Sequence, residues 1–464
     1  MSSHDNLDAF PGSHKSERED TGDPTNDKTI PSVIFPPPGP RAQAVIRDHR
    51  KYVTDTHAKA PYAFVADHGD GSFVWDVDGN CYLDFATGIA VNNLGHNHPA
   101  ITRIIQEQAG KLLHYSDADF YTKPYADLCK RLAILAGGDH KVFLSNSGTE
   151  AVEAAIKFAK FATGRPYGIS FIGAFHGRSA GSLSHTASNI VQRTGFSTLM
   201  SQYVHHIPYP DTHQGKYLER LDELEGSTFR RLLNPSEVAY ILIEPIQGEG
   251  GYLVPPKEYI QRLRRICDDH GILLIADEVQ TGAGRTGTMF AMEHFGVQPD
   301  ITTMAKGLGN GTVIGATISR NTVAKKLTPG THSSTFGGNP VSCRAALQVL
   351  DELKNGVMDN AYFQGANLRS RLHGLRQIYP QLIHDIRGMG LMIGVDFAPK
   401  GDDPLEYKDL RDRIVRRAFE SGLLTLGCGP SSIRMVPPLN INNREVDIGV
   451  DIFEKTLGEI EEIH

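Results

Sequence analysis

The sequence predicts an α/β protein: a large, mostly parallel sheet flanked by helices, with a smaller α+β domain. Three observations carry this reading. From Lys141 onward, short apolar runs alternate with amphipathic stretches, the rhythm of strands joined by helices. VAYILIEP from Val238, GILLIADEV from Gly271, DITTMAKG from Asp300 and VIGATISR from Val313 are the clearest strands. Between the first two, KEYIQRLRRICDDHG places Tyr259, Leu263 and Ile266, with Ile260 and Cys267 beside them, on one helical face and stops at Gly271. That strand-helix-strand unit implies largely parallel pairing.

A chain of 464 residues exceeds one ordinary hydrophobic core, so two packed domains are expected. Residues 1–40 read as a mobile tail and a proline-rich connector, PSVIFPPPGP. Residues 41–95 read as the N-terminal part of the small domain and 96–340 as the large domain. After Pro340 the pattern changes to a long helical stretch, VSCRAALQVLDELK, and then to short strands such as GLMIGVDFA and SIRMVPPL separated by helices. Residues 341–464 therefore complete the small domain.

With 40% hydrophobic and 22% charged residues, the composition is that of a globular enzyme. The net charge of -7, with both signs mixed along the chain, offers no basic stripe for a nucleic acid. Five scattered cysteines, Cys81, Cys129, Cys267, Cys343 and Cys428, form no C-x-x-C pair, which fits neither a disulfide framework nor a zinc site; a reducing cytoplasm is the expected home. The acidic N-terminus lacks the pattern of a secretory signal or mitochondrial presequence, and no apolar run approaches the length of a membrane span.

In SNSGTEAVEAAIKFAK, Ser147 and Glu150 form a capping box that opens an amphipathic helix, with Glu153 and Lys157 spaced to support it. Free N–H groups and the positive end of the helix dipole meet at such a start, and Gly148 lets an anion approach. In GILLIADEVQTGAGRTG, Gly282, Gly284 and Gly287 spell G-x-G-x-x-G, but the triplet does not open directly from the strand and no G-x-x-x-x-G-K-[ST] accompanies it, so a nucleotide site is discarded. Lys306 in TMAKGLGNG ends a buried-looking strand and precedes three glycines. Strand ends of parallel sheets are where ligands bind, and a desolvated lysine loses its proton readily enough to form Schiff bases. Asp277 ends the preceding apolar run, so both side chains can converge on one crevice.

SNSGTEA, FHGR, EPIQGEGG, ADEVQTGAGRTG, the AKG around Lys306, STFGGNP and SIRMVPPL occur in that order and together resemble the class III (ω-amino acid) aminotransferases dependent on pyridoxal 5′-phosphate. The likeness runs from about residue 41 to the C-terminus. It implies the aspartate-aminotransferase-like type I fold, normally a homodimer with active sites at the subunit interface. It also implies that Lys306 carries the cofactor as a Schiff base and that Asp277 faces the pyridine nitrogen. Ser147, Gly148 and Thr149 would hold the phosphate, and Thr335 would reach the phosphate of the neighbouring subunit. Phe175 would stack on the ring, Gln280 would bond the ring hydroxyl, and Glu244 would border the pocket. His176 reads equally as a cofactor contact and as a packed histidine.

For the substrates, the resemblance implies that Arg434 clamps the α-carboxylate of glutamate or 2-oxoglutarate, with Glu249 as its partner when a substrate lacks that group. Arg178 would take the distal carboxylate, and Ile89 in GIAV would form part of the wall. The expected reaction moves the amino group of a 4-aminobutyrate-like donor to a 2-oxo acid acceptor. LLHYSDADFY and LGCGPSSIRMVPPL also suit ornithine or lysine ω-aminotransferases and amino-acid racemases on the same scaffold. A non-catalytic binding protein would be expected to lose Lys306 or Asp277, and both are present.

Overall fold

The computed structural model describes residues 30–56, 62–210, 217–397 and 404–462, so the expected tail lies outside the described residues up to Ile30. The proline-rich connector is extended and tethered: Ser32 pairs with Cys81, and the Asn80 Oδ1 accepts the N–H groups of Ile34 (2.8 Å) and Phe35 (2.9 Å). It leads into helix α1 (Pro40–Tyr52), where Asp78 takes up the N–H groups of Arg41 and Ala42 that a helix start leaves free. Strands β1 (Ala66–Asp70), β2 (Phe73–Asp76) and β3 (Cys81–Asp84) follow as an antiparallel meander.

Directly after β3 the chain makes one left-handed helical turn, with φ of 46° at Thr87, 63° at Gly88, 68° at Ile89 and 56° at Ala90. Each non-glycine residue there costs roughly 1–2 kcal/mol. The surroundings hold it in place: Asp84 Oδ1 accepts the N–H groups of Ala86 and Thr87 (2.8 Å each), Asp84 Oδ2 meets His96 Nε2 at 2.8 Å, and Thr87 Oγ1 donates to the Val436 carbonyl at 2.8 Å.

The largest sheet has seven strands: β4 (His140–Ser145), β5 (Tyr167–Phe171), β6 (Val204–Ile207), β7 (Val238–Ile243), β8 (Leu273–Asp277), β9 (Ile301–Met304) and β10 (Gly315–Arg320). Their order is β4-β10-β9-β8-β7-β5-β6. The links β6-β5-β7-β8-β9 are parallel, as the strand-helix-strand reading expects. VIGATISR departs from it: β10 runs antiparallel to both β9 and β4. Only the short segment from Ala305 to Ile314 separates β9 from β10, too little chain for a crossover helix, so the strand must turn back. Because β10 is reversed, β4 beyond it points the same way as β9.

Helix α2 (Gly148–Thr163) opens at Ser147, whose side chain accepts the Glu150 N–H. The expected box is only half formed. The Glu150 carboxylate accepts the N–H of Asn146 at 2.6 Å, one residue before the cap. Glu153 does not pair with Lys157 either; its Oε1 accepts from Ser179 Oγ (2.6 Å) and the Ser182 N–H (3.0 Å). Helix α3 (Lys257–His270) buries Tyr259, Ile260, Leu263, Ile266 and Cys267 and ends at Gly271 with φ of 61°, as its periodicity predicts.

Helix α4 (Pro340–Glu352) starts the C-terminal part, which adds β11 (Ile383–Met389), β12 (Met392–Phe397), β13 (Leu423–Leu424), β14 (Leu426–Cys428) and β15 (Ser432–Met435). β13 joins the first meander beside β3, and the other four form a sheet in the order β11-β12-β15-β14. GLMIGVDFA and SIRMVPPL are thus adjacent antiparallel strands, pairing Gly394 with Arg434.

Asp84→Ala is expected to lower folding stability by about 3 kcal/mol, because two buried N–H groups and His96 lose their acceptor. Asp84→Asn, which keeps one oxygen for the N–H pair, should lose less than half of that. Urea-unfolding midpoints of the three proteins provide the comparison.

Candidate active site

Five strands that point the same way, β4, β5, β7, β8 and β9, end at one edge of the large sheet and deliver the candidate side chains there. β8 ends on Asp277, buried in the sheet. Asp277 Oδ1 accepts the Val279 N–H and the Thr303 hydroxyl, both at 3.1 Å, and Oδ2 accepts from His176 Nδ1 at 2.7 Å. Three donors hold this carboxylate in one orientation. They also fix the His176 ring, whose Nε2 is buried without a partner among the described residues.

Beyond β9 the chain turns sharply, and Lys306 adopts a left-handed φ of 44°. Residues held in such conformations cluster at functional sites. Its ammonium has no hydrogen bond or ion pair among the described residues. Burial, then the nearby Arg434 guanidinium, lower its proton affinity against the opposing pull of Glu249, Asp277 and Glu244.

Beyond β4, the start of helix α2 presents Ser147, Gly148 and Thr149. The N–H groups of Gly148 and Thr149 have no acceptor among the described residues. Gly148 also packs closely on β8's continuation, where a Cβ would stand 2.8 Å from Val279 Cγ1. Beyond β5 comes the loop bearing Phe175, His176 and Arg178. Beyond β7 comes Glu244, whose two oxygens accept the N–H groups of Phe175 (2.9 Å) and Gly248 (2.8 Å). Burial pushes the Glu244 carboxyl up to about 7, with His176 and the two N–H donors opposing the shift.

These groups line one cavity of about 470 Å³, which brings together Ser147, Gly148, Thr149, Phe175, His176, Arg178, Glu244, Asp277, Gln280 and Lys306. A larger surface hollow of about 560 Å³, lined by residues such as Tyr115, Tyr121 and Arg344, contains none of these groups. The remaining candidates stand outside the cavity wall. Thr335 is exposed, beside Ser334, whose hydroxyl accepts from Asn146 Nδ2 at 3.3 Å near the helix start. Ile89 is exposed on the left-handed turn.

Arg434, on β15, is buried, with Nη1 at 2.8 Å from Glu249 Oε1 and Nη2 donating to the Gly427 carbonyl at 3.0 Å. Burial works against its charge, but Glu249 outweighs it and holds the guanidinium more firmly protonated than usual. Its Nε has no partner, and Nη1 is too poorly aligned with Glu249 for a hydrogen bond. Arg178 makes no ion pair among the described residues; its guanidinium stands 5.8 Å from the Phe175 ring centre.

Sequence reasoning missed Thr303 and Tyr252. Thr303 holds Asp277 from the neighbouring strand, and the Tyr252 hydroxyl donates to Gln280 Oε1 at 2.6 Å. No local signal marks either residue, since each partner arrives from a different element.

An unpartnered amine, a fixed buried carboxylate and a helix start with free N–H groups suit an aromatic aldehyde phosphate with a basic ring nitrogen. The family model for aminotransferase class-III matches residues 54–457, so the chain belongs to that family and its cofactor is pyridoxal 5′-phosphate. The chain is 39% identical over 403 residues to the 5-aminovalerate aminotransferase DavT of Pseudomonas aeruginosa, covering 85% of this chain and 94% of that protein. It is 39% identical over 399 residues to the 4-aminobutyrate aminotransferase GabT of Escherichia coli, covering 85% and 93%. The acetylornithine aminotransferase of Caldanaerobacter subterraneus is also 39% identical, over 90% of this chain and all (100%) of that protein. A PLP-bound amine transaminase from an uncultivated Pseudomonas species superposes with a TM-score of 0.81 at 31% identity, covering 88% of this chain and 98% of that one. No helix among the described residues is long and apolar enough to cross a membrane.

Glu244 binds its proton more tightly folded, with a carboxyl near 7, than at its ordinary 4.5. The native state therefore holds the extra proton across that window, and this group's contribution to stability falls as pH rises through it, by up to about 3 kcal/mol. In Glu244→Gln the slope of stability against pH between about 5 and 7 should become less negative, whatever constant offset the lost hydrogen bond adds. Urea unfolding at a series of pH values measures the slope.

Proposed function

We propose that this aminotransferase takes the amino group of an ω-amino acid of the 4-aminobutyrate type and passes it to 2-oxoglutarate. The Arg434–Glu249 pair carries the reading. A substrate whose amine sits at its far end has no carboxylate beside the reacting carbon, and a buried guanidinium then needs an internal anion. Glu249 supplies it at 2.8 Å. A 2-oxo acid brings its own carboxylate, which can take the spare donors of Arg434 once Glu249 swings aside. Arg178, free of ion pairs, suits the distal carboxylate of either substrate. The names of the DavT and GabT relatives agree with such donors. An ornithine-, lysine- or acetylornithine-type donor is the second reading, favoured by the acetylornithine aminotransferase relative at the same 39% identity.

When bound, pyridoxal 5′-phosphate supplies an electron sink and stores the amino group between the two half-reactions. Lys306 Nζ would hold the cofactor and would move the proton at the substrate's reacting carbon. Its lowered proton affinity suits it to act as a base. Asp277, oriented by His176, Thr303 and the Val279 N–H, would keep the ring nitrogen protonated. Ser147, Gly148 and Thr149 would take the phosphate at the start of helix α2, Phe175 would cover the ring face, and Gln280 would meet the ring oxygen. Glu244 and His176 line the same wall, bonded to the Phe175 N–H and to Asp277, and Ile89 would form part of the entrance.

The same reading makes the active unit a pair of chains, with Thr335 reaching the partner's phosphate site. Exposed apolar side chains beside it support this: Phe336 is 63% exposed and packs against His114, whose neighbour Leu113 is 65% exposed. It divides the chain into a cofactor domain, 96–340, and a smaller domain from 41–95 and 341–464, and it places the enzyme in the cytoplasm, where its five unpaired cysteines stay reduced.

Lys306→Ala is expected to lose the yellow cofactor band on dialysis, and borohydride reduction of the wild type followed by peptide mapping should label Lys306. A label on another lysine overturns the assignment. Arg434→Ala should impair the half-reaction with 2-oxoglutarate by at least about 30-fold, since removing a clamp on a buried carboxylate costs about 2–5 kcal/mol. The half-reaction with 4-aminobutyrate should change far less. Single-turnover rates of the two half-reactions decide this. Interconversion of D- and L-amino acids without any 2-oxo acid, and no glutamate formed from any ω-amine, would replace the reading by a racemase.

A further inference from the structure

Tyr252 is fully buried, 0% exposed, on the loop that follows Glu244, and it holds a left-handed φ of 56°. A bulky residue adopts that conformation only where the surroundings impose it. Here they do: the Gly251 carbonyl is gripped by Arg387 through Nε (2.9 Å) and Nη2 (2.7 Å), and Gly394 on β12 leaves room for Tyr252, since a Cβ there would stand 2.9 Å from the Tyr252 Cβ.

The side chain touches both halves of the site. Its hydroxyl donates to Gln280 Oε1 at 2.6 Å, while the Arg434 guanidinium stands over its ring at 6.0 Å from the centre. The hydroxyl has one proton, and Gln280 Oε1 is its only acceptor among the described residues. Burial keeps that proton on, raising the phenol above its ordinary range. If the amide were reversed, the phenol proton would be left buried without an acceptor, at a cost of about 1–3 kcal/mol. The amide oxygen is therefore committed to Tyr252. Gln280 Nε2 has no partner among the described residues, and Gln280 lines the cavity.

We propose that Tyr252 is a positioning residue: its hydroxyl fixes the Gln280 amide so that only the N–H side faces the cofactor's ring oxygen, while its ring supports Arg434. This rests on the reading that Gln280 meets the ring oxygen. A hydrogen bond donated to that oxygen favours the form in which it carries more negative charge, and so lowers the pH at which the lysine-linked cofactor loses its proton. Tyr252 thereby ties the cofactor's proton affinity to the same side chain that steadies the substrate arginine.

The test uses the holoenzyme, titrating its visible absorption against pH, with KM for 2-oxoglutarate measured alongside. Tyr252→Phe removes the hydroxyl and keeps the ring. The expected result is an absorption midpoint raised by about half a pH unit, as a partly lost hydrogen bond allows, with KM for 2-oxoglutarate unchanged within about twofold. Gln280→Ala is the control and should raise the midpoint at least as far. If Gln280→Ala moves the midpoint and Tyr252→Phe does not, the proposal fails while the role of Gln280 stands. If neither moves it, the placement of Gln280 on the ring oxygen fails as well, and the proposal with it. A tenfold rise in KM in Tyr252→Phe would mean that the hydroxyl acts through the packing of Arg434, which also overturns the proposal.

Discussion

Parallel pairing is the constraint from which the site follows. In a parallel sheet every strand ends at the same edge, and the segment after each strand must begin there. β5, β7, β8 and β9 therefore deliver the loop of Phe175 and His176, Glu244, Asp277 and Lys306 to one rim. β10 is the exception that extends the rule: by running antiparallel it lets β4 point the same way, so the start of helix α2 joins the rim. A carboxylate and an amine are thus placed next to free backbone N–H groups without any long-range folding device beyond strand direction.

Concentrating ionisable groups in a buried place has an electrostatic cost, and the structure meets it locally. Asp277 accepts from three donors on three elements, the Val279 N–H, Thr303 and His176. Lys306 has no such support, so burial and Arg434 together make it easier to deprotonate. Arg434 is itself held charged by Glu249. A guanidinium held charged and an amine that gives up its proton more readily thus stand in a single electrostatic neighbourhood.

Backbone strain accompanies the site. Lys306, Tyr252 and the turn from Thr87 to Ala90 have left-handed φ, and only Gly88 among them is a glycine. The left-handed turn is held by Asp84 and the Val436 carbonyl, and Tyr252 by Arg387 on the preceding Gly251 carbonyl. Strain of this kind persists where surrounding interactions over-determine a geometry, which is also what holds a reacting group in place.

The sequence by itself determined the features that depend on short separations along the chain. The period of Tyr259, Leu263 and Ile266, the stop at Gly271, the cap at Ser147 and the strands ending at Asp277 and before Lys306 were legible because each depends on backbone geometry within a few residues. The tertiary structure decided partners and directions. It reversed VIGATISR, moved the Glu150 side chain from its own cap to Asn146, gave Glu153 to Ser179 and Ser182, and brought Tyr252 onto Gln280 and Arg434. Whether a buried carboxylate or hydroxyl bonds within its own helix or across the molecule depends on which donor the packed strands bring closest, and chain-local propensity carries no record of that distance.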